Sequence, residues 1–166
     1  MGNSLQLQLT ERILLRMPAA PDPHQRAWAR FVVAGALLTE RIEAALSAAD
    51  LPSLDAYDVL WTLEGAERGR LRMADLAHQA VVSRSNVTRL ADRLEKSGLV
   101  SRADCPNDGR GTMCVITDKG RALRAKMWTV YRKQIATLFS RHLGAREAEE
   151  MAKVFERIIS SAKESK

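Results

Sequence analysis

The stretch from Ser83 to Leu99 constrains this chain most. Val87, Leu90 and Leu94 recur at three- and four-residue steps, which places them on one face of a helix. Ser83 or Ser85 is positioned to cap its start, because a serine hydroxyl accepts from a first-turn N–H that has no intrahelical partner. Lys96 falls in the last turn, where a cation suits the helix dipole. Gly98 follows where a left-handed terminating residue is needed. The opposite face carries Arg84, Ser85, Thr88, Arg89 and Arg93, with Ser83 and Asn86 as further candidate DNA contacts; an inward or local capping role is the alternative for Asn86. One apolar face and one face of arginine, asparagine and hydroxyls suit a helix that lies in a DNA major groove. There an arginine fork matches guanine, an amide matches adenine and a hydroxyl fits either. The competing reading is a solvated surface helix, since charged outer faces are the norm.

The neighbouring sequence decides between the two. Ala74 to Gln79 reads as a short helix with Leu76 and Ala77 inward, and Ala80-Val81-Val82 as the turn into the Ser83 helix. Leu71-Arg72-Met73 reads as a very short strand. Beyond Gly98, Leu99–Ala103 and Thr112–Ile116 are strand candidates around the turn-rich Cys105-Pro106-Asn107-Asp108-Gly109-Arg110-Gly111, and Asp-Gly between two strands signals a hairpin. Its tip would offer Arg110, with Asp108 orienting the turn. A guanidinium on a thin loop reaches a minor groove, where the potential is most negative in A·T-rich DNA. Helix, turn, polar-faced helix and hairpin in this order make a winged helix-turn-helix.

On either side the pattern is helical: His24–Asp50, the largely apolar Leu54–Glu64 after a capping Ser53, Thr117–Leu143, and Ala145 to about Ala162. At 1.5 Å per residue the first and third would each run roughly 40 Å. The small module cannot cover them, and a second copy of the chain is the simplest partner. The expected fold class is therefore mostly α (α+β): a winged helix-turn-helix over 54–116, with dimerisation helices at 24–53 and 117–166. Residues 1–23, interrupted by Pro18, Pro21 and Pro23, form an arm that includes a short helical stretch, Gln6–Met17.

Charge and composition narrow the function. The 166 residues carry a net charge of +6, which favours an anionic partner. No apolar run is long enough to cross a membrane, and two cysteines are too few for a disulfide framework. A cytoplasmic protein is expected. His24, His78 and His142 lack ligand spacing, and no phosphate loop or nucleophile elbow occurs. No metal, cofactor or enzymatic activity is implied.

At this point the sequence resembles the MarR family of bacterial transcriptional regulators. The matching text is Leu71-Arg72-Met73-Ala74-Asp75-Leu76-Ala77, then Ser83 to Val100 with Thr88-Arg89-Leu90 and Asp92-Arg93-Leu94-Glu95, then Asp108-Gly109-Arg110-Gly111, then Thr117-Asp118-Lys119-Gly120. The resemblance implies a homodimer that binds an inverted-repeat operator, usually as a repressor. It implies base reading by the Ser83–Ser97 helix, a minor-groove contact by Arg110, and a pairing of Asp92 with the wing arginine. It also implies a small aromatic or phenolic effector, for which Trp28, Tyr57, Asp58 and Trp61 are the candidate pocket; core packing is the competing role for these aromatics. A urate-responsive branch of the family has a tryptophan on the first helix and an aspartate at a position like Asp58, but an arginine where this chain has Tyr57.

Cys105 and Cys114 flank the wing. A hairpin centred at Gly109–Arg110 would set them opposite each other, close enough for a redox-responsive disulfide. Two inert thiols are the plainer reading. DNA binding without any effector is the remaining alternative.

Overall fold

A computed structural model describes residues 22–80, 84–105 and 108–164, without the side chains of 84, 85, 108–110 and 163. The elements in order are α1 (Pro23–Ala48), α2 (Leu54–Gly65), a 3-10 turn (Glu67–Gly69), β1 (Arg70–Arg72), α3 (Met73–Gln79), α4 (Arg84–Lys96), β2 (Val100–Cys105), β3 (Asp108–Ile116), α5 (Asp118–Leu138), a second 3-10 turn (Ser140–His142) and α6 (Ala145–Glu164). The expected helix from Thr117 to Leu143 thus ends as an α-helix at Leu138. The expected arm and its Gln6–Met17 stretch lie outside the described residues, apart from Asp22 and Pro23.

The chain divides into two compact units, Ile42–Tyr131 and the described parts of Met1–Arg41 and Arg132–Lys166. The first holds the winged helix-turn-helix. Its core gathers Val59, Leu60 and Leu63 of α2, Leu76 of α3, Val87, Leu90 and Leu94 of α4, and Val100, Cys114 and Ile116 of the sheet. The apolar face read at Val87, Leu90 and Leu94 is therefore the buried one, as the three- and four-residue steps require. A second cluster joins Ile42, Leu46, Leu51, Tyr57 and Met127.

The sheet has the order β1-β3-β2, all antiparallel. Arg102 faces Cys114 and Cys105 faces Asp108. Gly109 and Arg110 therefore lie within β3 rather than at the centre of a turn, and the strands run further towards the tip than expected. This corrects the cysteine reading. Three residues separate the Cys114 position from Cys105 along the ladder, about 10 Å at 3.4 Å each. A disulfide needs Cα atoms within about 7 Å. The two thiols are buried and free.

Two caps fix the module. At the end of α4, Gly98 takes φ +70°. Its N–H bonds the Glu95 carbonyl at 2.8 Å, and the Leu99 N–H bonds the Leu94 carbonyl at 2.9 Å, closing the helix as a left-handed glycine terminus. At the start of α5, the Thr117 hydroxyl accepts from Gly120 N at 3.1 Å and lies 2.8 Å from the Gly98 carbonyl. Gly120 is required there, because a Cβ would collide with the Leu99 carbonyl oxygen. Ser53, the expected cap of α2, makes no side-chain cap bond. Glu43 replaces it, accepting from Leu54 N at 2.9 Å.

In the other unit, Phe31 packs against Trp28 and Phe155, with ring centroids 5.9 and 5.5 Å apart. Trp28, Phe31, Val32 and Leu37 of α1 and Val154, Ile158 and Ile159 of α6 are exposed. These are the apolar rows that the sequence left without a partner.

Candidate nucleic-acid interface

Val87, Leu90, Ala91 and Leu94 form the buried side of α4. Asn86, Thr88, Arg89 and Arg93 are all exposed, as their 3.6-residue phase against the buried row predicts. Asn86, Arg89, Arg93 and Lys96 line one side of a cleft of about 440 Å³, with Leu90, Asp92 and Asp55 of α2. Three cations in one row give this flank the charge that phosphate contacts require. Lys96, noted in the sequence only for its place at the helix end, joins the row because it stands three residues beyond Arg93 and seven beyond Arg89. Arg84 and Asp108 begin α4 and β3 and Ser85 and Arg110 lie within them, but their side chains, and all of Ser83, lie outside the described residues.

Two carboxylates of α4, Asp92 in this cleft and Glu95 one turn on, tie the helix to the strand that enters the wing. Arg102 of β2 hydrogen-bonds Asp92 through Nη2, and its Nε lies 3.2 Å from Glu95 Oε2. The resemblance implied that Asp92 pairs with the wing arginine at 110; the described partner of Asp92 is Arg102, on the strand that enters the wing. The strand register that places Arg102 beside α4 was not readable from local pattern.

Cys114 faces Arg102 across the ladder. Burial pushes its thiol up to about 11, against a smaller opposing effect of Arg102. A buried, protonated thiol is a poor nucleophile at neutral pH.

Of the four expected pocket residues, Tyr57, Asp58 and Trp61 stand on α2 and Trp28 on α1. Trp28 belongs to the other compact unit and packs on Phe31. Tyr57 is a core residue, edge-on to Tyr131 at 5.2 Å and stacked near Trp128 at 6.3 Å. Trp61, on the same helix, is 60% exposed, so α2 is not buried all round as its composition suggested. Asp58 is half-buried, and burial raises its carboxyl to about 6, helped by the charges of Asp55 and Glu43. Burial also raises Tyr57 and Tyr131. Nearby, Glu64 lies 2.5 Å from Arg124 Nε and 3.8 Å from Arg121 Nη1; the Arg124 Nε contact lacks hydrogen-bond alignment. Among the described residues no cluster of metal-ligating side chains occurs.

A short helix, a polar-faced second helix packed on it and a three-stranded wing define a winged helix-turn-helix protein. The MarR family model matches residues 53–112, the segment that carries α2 to the wing. The fold is that of AbsC, a MarR family transcriptional regulator from Streptomyces coelicolor, with a TM-score of 0.77 and 28% identity over 86% of this chain and 95% of AbsC. Sco3205 from the same organism, a MarR family regulator solved in complex with DNA, aligns with a TM-score of 0.75 and 28% identity over 83% of this chain and 86% of Sco3205. The HTH-type transcriptional repressor IacR of Pseudomonas putida is 32% identical over 57% of this chain and 55% of IacR. The chain spans about half the length of the curated relatives it matches. These relatives are regulators of transcription, not enzymes.

Proposed function

We propose that this protein is a cytoplasmic, homodimeric transcriptional repressor that binds an inverted-repeat operator through α4 and the wing. The observation that carries this reading is the basic flank of α4, where Arg89, Arg93 and Lys96 stand in one row beside exposed Asn86 and Thr88. The likeness to Sco3205, which binds DNA with the same fold, supports it. In the proposed complex α4 enters the major groove. Asn86, Thr88 and the α4 N-terminal residues Ser83, Arg84 and Ser85 meet base edges and nearby phosphates, Arg89, Arg93 and Lys96 meet phosphates, and Arg110 reaches the minor groove from a tip oriented by Asp108. The exposed apolar residues of α1 and α6 supply the dimer contact, since apolar rows of this length are rarely left in water. Two copies related by a two-fold axis then match a palindromic site. Residues 24–53 and 117–166 serve dimerisation and 54–116 reads DNA.

The effector reading centres on α2. A small aromatic or phenolic ligand would engage Asp58 and Trp61 of α2, beside the Tyr57, Trp128 and Tyr131 rings. It is supported by a half-buried carboxyl whose charged form burial, Asp55 and Glu43 disfavour, so a ligand that hydrogen-bonds it relieves that cost. Free cysteines that do not face each other leave the redox alternative without its disulfide.

The test is retention of fragments of the source genome by the purified protein, followed by sequencing. A shared inverted repeat among the retained fragments is expected. Uniform retention would replace the operator reading with general DNA affinity, and no retention would overturn DNA binding.

A further inference from the structure

The acidic residues of α4 raise a problem for the DNA-binding reading on which this inference rests. Asp92 stands three residues beyond Arg89 and four before Lys96, the two spacings at which oppositely charged side chains on a helix meet. A free Asp92 would draw both cations to itself, and Glu95 would add a second charge that repels phosphate. Asp92 lines the same cleft as Arg89, Arg93 and Lys96, so nothing in the helix itself keeps it from them. Arg102 does. Its guanidinium takes Asp92 on Nη2 and Glu95 on Nε, two carboxylates one helical turn apart that suit its planar fork. All three side chains are partly exposed, so the pairing is dispensable for core packing and adds little to stability.

We propose that Arg102 is a positioning residue for DNA binding: by clamping Asp92 and Glu95 towards β2, it leaves Arg89, Arg93 and Lys96 free for phosphate. The same clamp links the recognition helix to the strand that leads into the wing, so both DNA-reading elements share one anchor. Arg102 acts through these carboxylates rather than by touching DNA.

The test compares wild type, R102A and the triple variant R102A/D92N/E95Q. The probe is a fluorescent duplex carrying a fragment that wild type retains from the source genome, titrated at several salt concentrations. R102A is expected to bind at least tenfold more weakly and to show a shallower salt dependence. Each cation that turns from a phosphate to an internal ion pair lowers the log–log slope by about one unit. The triple variant is expected to recover both affinity and slope, because neutral amides no longer compete for the cations. A triple variant as weak as R102A would show that Arg102 contacts DNA itself and would overturn the proposal. Wild-type affinity in R102A would overturn it too, while leaving the DNA-binding reading intact. Failure of wild type to retain any fragment would instead remove the DNA-binding reading, and the proposal with it. Circular dichroism checks the fold of each variant. R102Q, which keeps the side-chain stem, replaces R102A in the same comparison if the alanine variant does not fold.

Discussion

Replacing Asp58 by asparagine should make the protein more stable at alkaline pH and leave its stability at acid pH nearly unchanged. The carboxyl ordinarily titrates at 3.8, and in the folded chain burial, then Asp55 and Glu43, raise it to about 6. Below 3.8 the group is neutral in both the folded and the unfolded chain, so it carries no charge penalty. Between 3.8 and about 6 the folded protein still holds a proton that the unfolded chain has released, and stability falls as pH rises through that window. Above about 6 both states are charged and the penalty is complete. A shift from 3.8 to about 6 corresponds to about 3 kcal/mol at 1.36 kcal/mol per pH unit. Asp58 is only half-buried, and solvent screening brings the realistic gain for Asp58→Asn to about 1 kcal/mol. For a chain of this size that is a rise of about 2–4 °C in Tm. The assay is thermal unfolding of both proteins at pH 4 and pH 8, read as the difference between them at each pH. A difference of about zero at pH 4 growing to a few degrees at pH 8 is expected. A difference that stays constant with pH, or a variant less stable at pH 8, would refute the argument that burial and neighbouring carboxylates disfavour the charged form.

Three further outcomes follow from the geometry. Arg89→Ala with Arg93→Ala should weaken binding to a retained duplex more than tenfold and reduce the log–log salt slope by about 2; anisotropy titrations at several salt concentrations check this, and an unchanged slope would remove both residues from the phosphate interface. Gly120→Ala should destabilise the protein by about 2 kcal/mol despite alanine's better helix propensity, because its Cβ would press on the Leu99 carbonyl; equilibrium urea unfolding measures it, and a neutral or stabilising result would show that α5 shifts freely from the wing. Mild thiol oxidants such as diamide should form no Cys105–Cys114 disulfide in the folded protein and leave DNA binding unchanged; mass spectrometry of tryptic peptides reads the first, and an intramolecular bridge would contradict the strand register.

How much of the molecule was legible depended on how local the determining pattern was. The helices α2, α3 and α4 fell within a residue or two of expectation because each has its own period and its own stop. The period of Val87, Leu90 and Leu94 and the glycine at 98 fix α4 without reference to anything distant. Ser53 failed as a cap because Glu43, eleven residues before Leu54 on another helix, took the Leu54 N–H. Composition alone made α2 look apolar on most sides, yet Trp61 is exposed, since packing against α3, α4 and the sheet uses the Ala56, Val59, Leu60 and Leu63 side.

The wing shows most clearly why part of the site was hidden. Asp-Gly marks a turn strongly, and it drew the hairpin centre to Gly109–Arg110. The chain instead extends β3 back to Asp108 and pairs it with Cys105. A strand register is a property of two segments together, and a small change in the turn moves every facing pair. That displacement separates the cysteines from each other and puts Cys114 opposite Arg102. The α4–β2 packing that sets Arg102 against Asp92 and Glu95 is equally invisible to period and turn chemistry, so its charge looked like one more contribution to a basic surface. The carboxylates of α4 and the arginine that pairs with them are one feature split across two elements, Asp92 and Arg102 being ten residues apart. Only the folded chain brings its halves together, and the electrostatics of α4 follow from that pairing rather than from the number of its arginines.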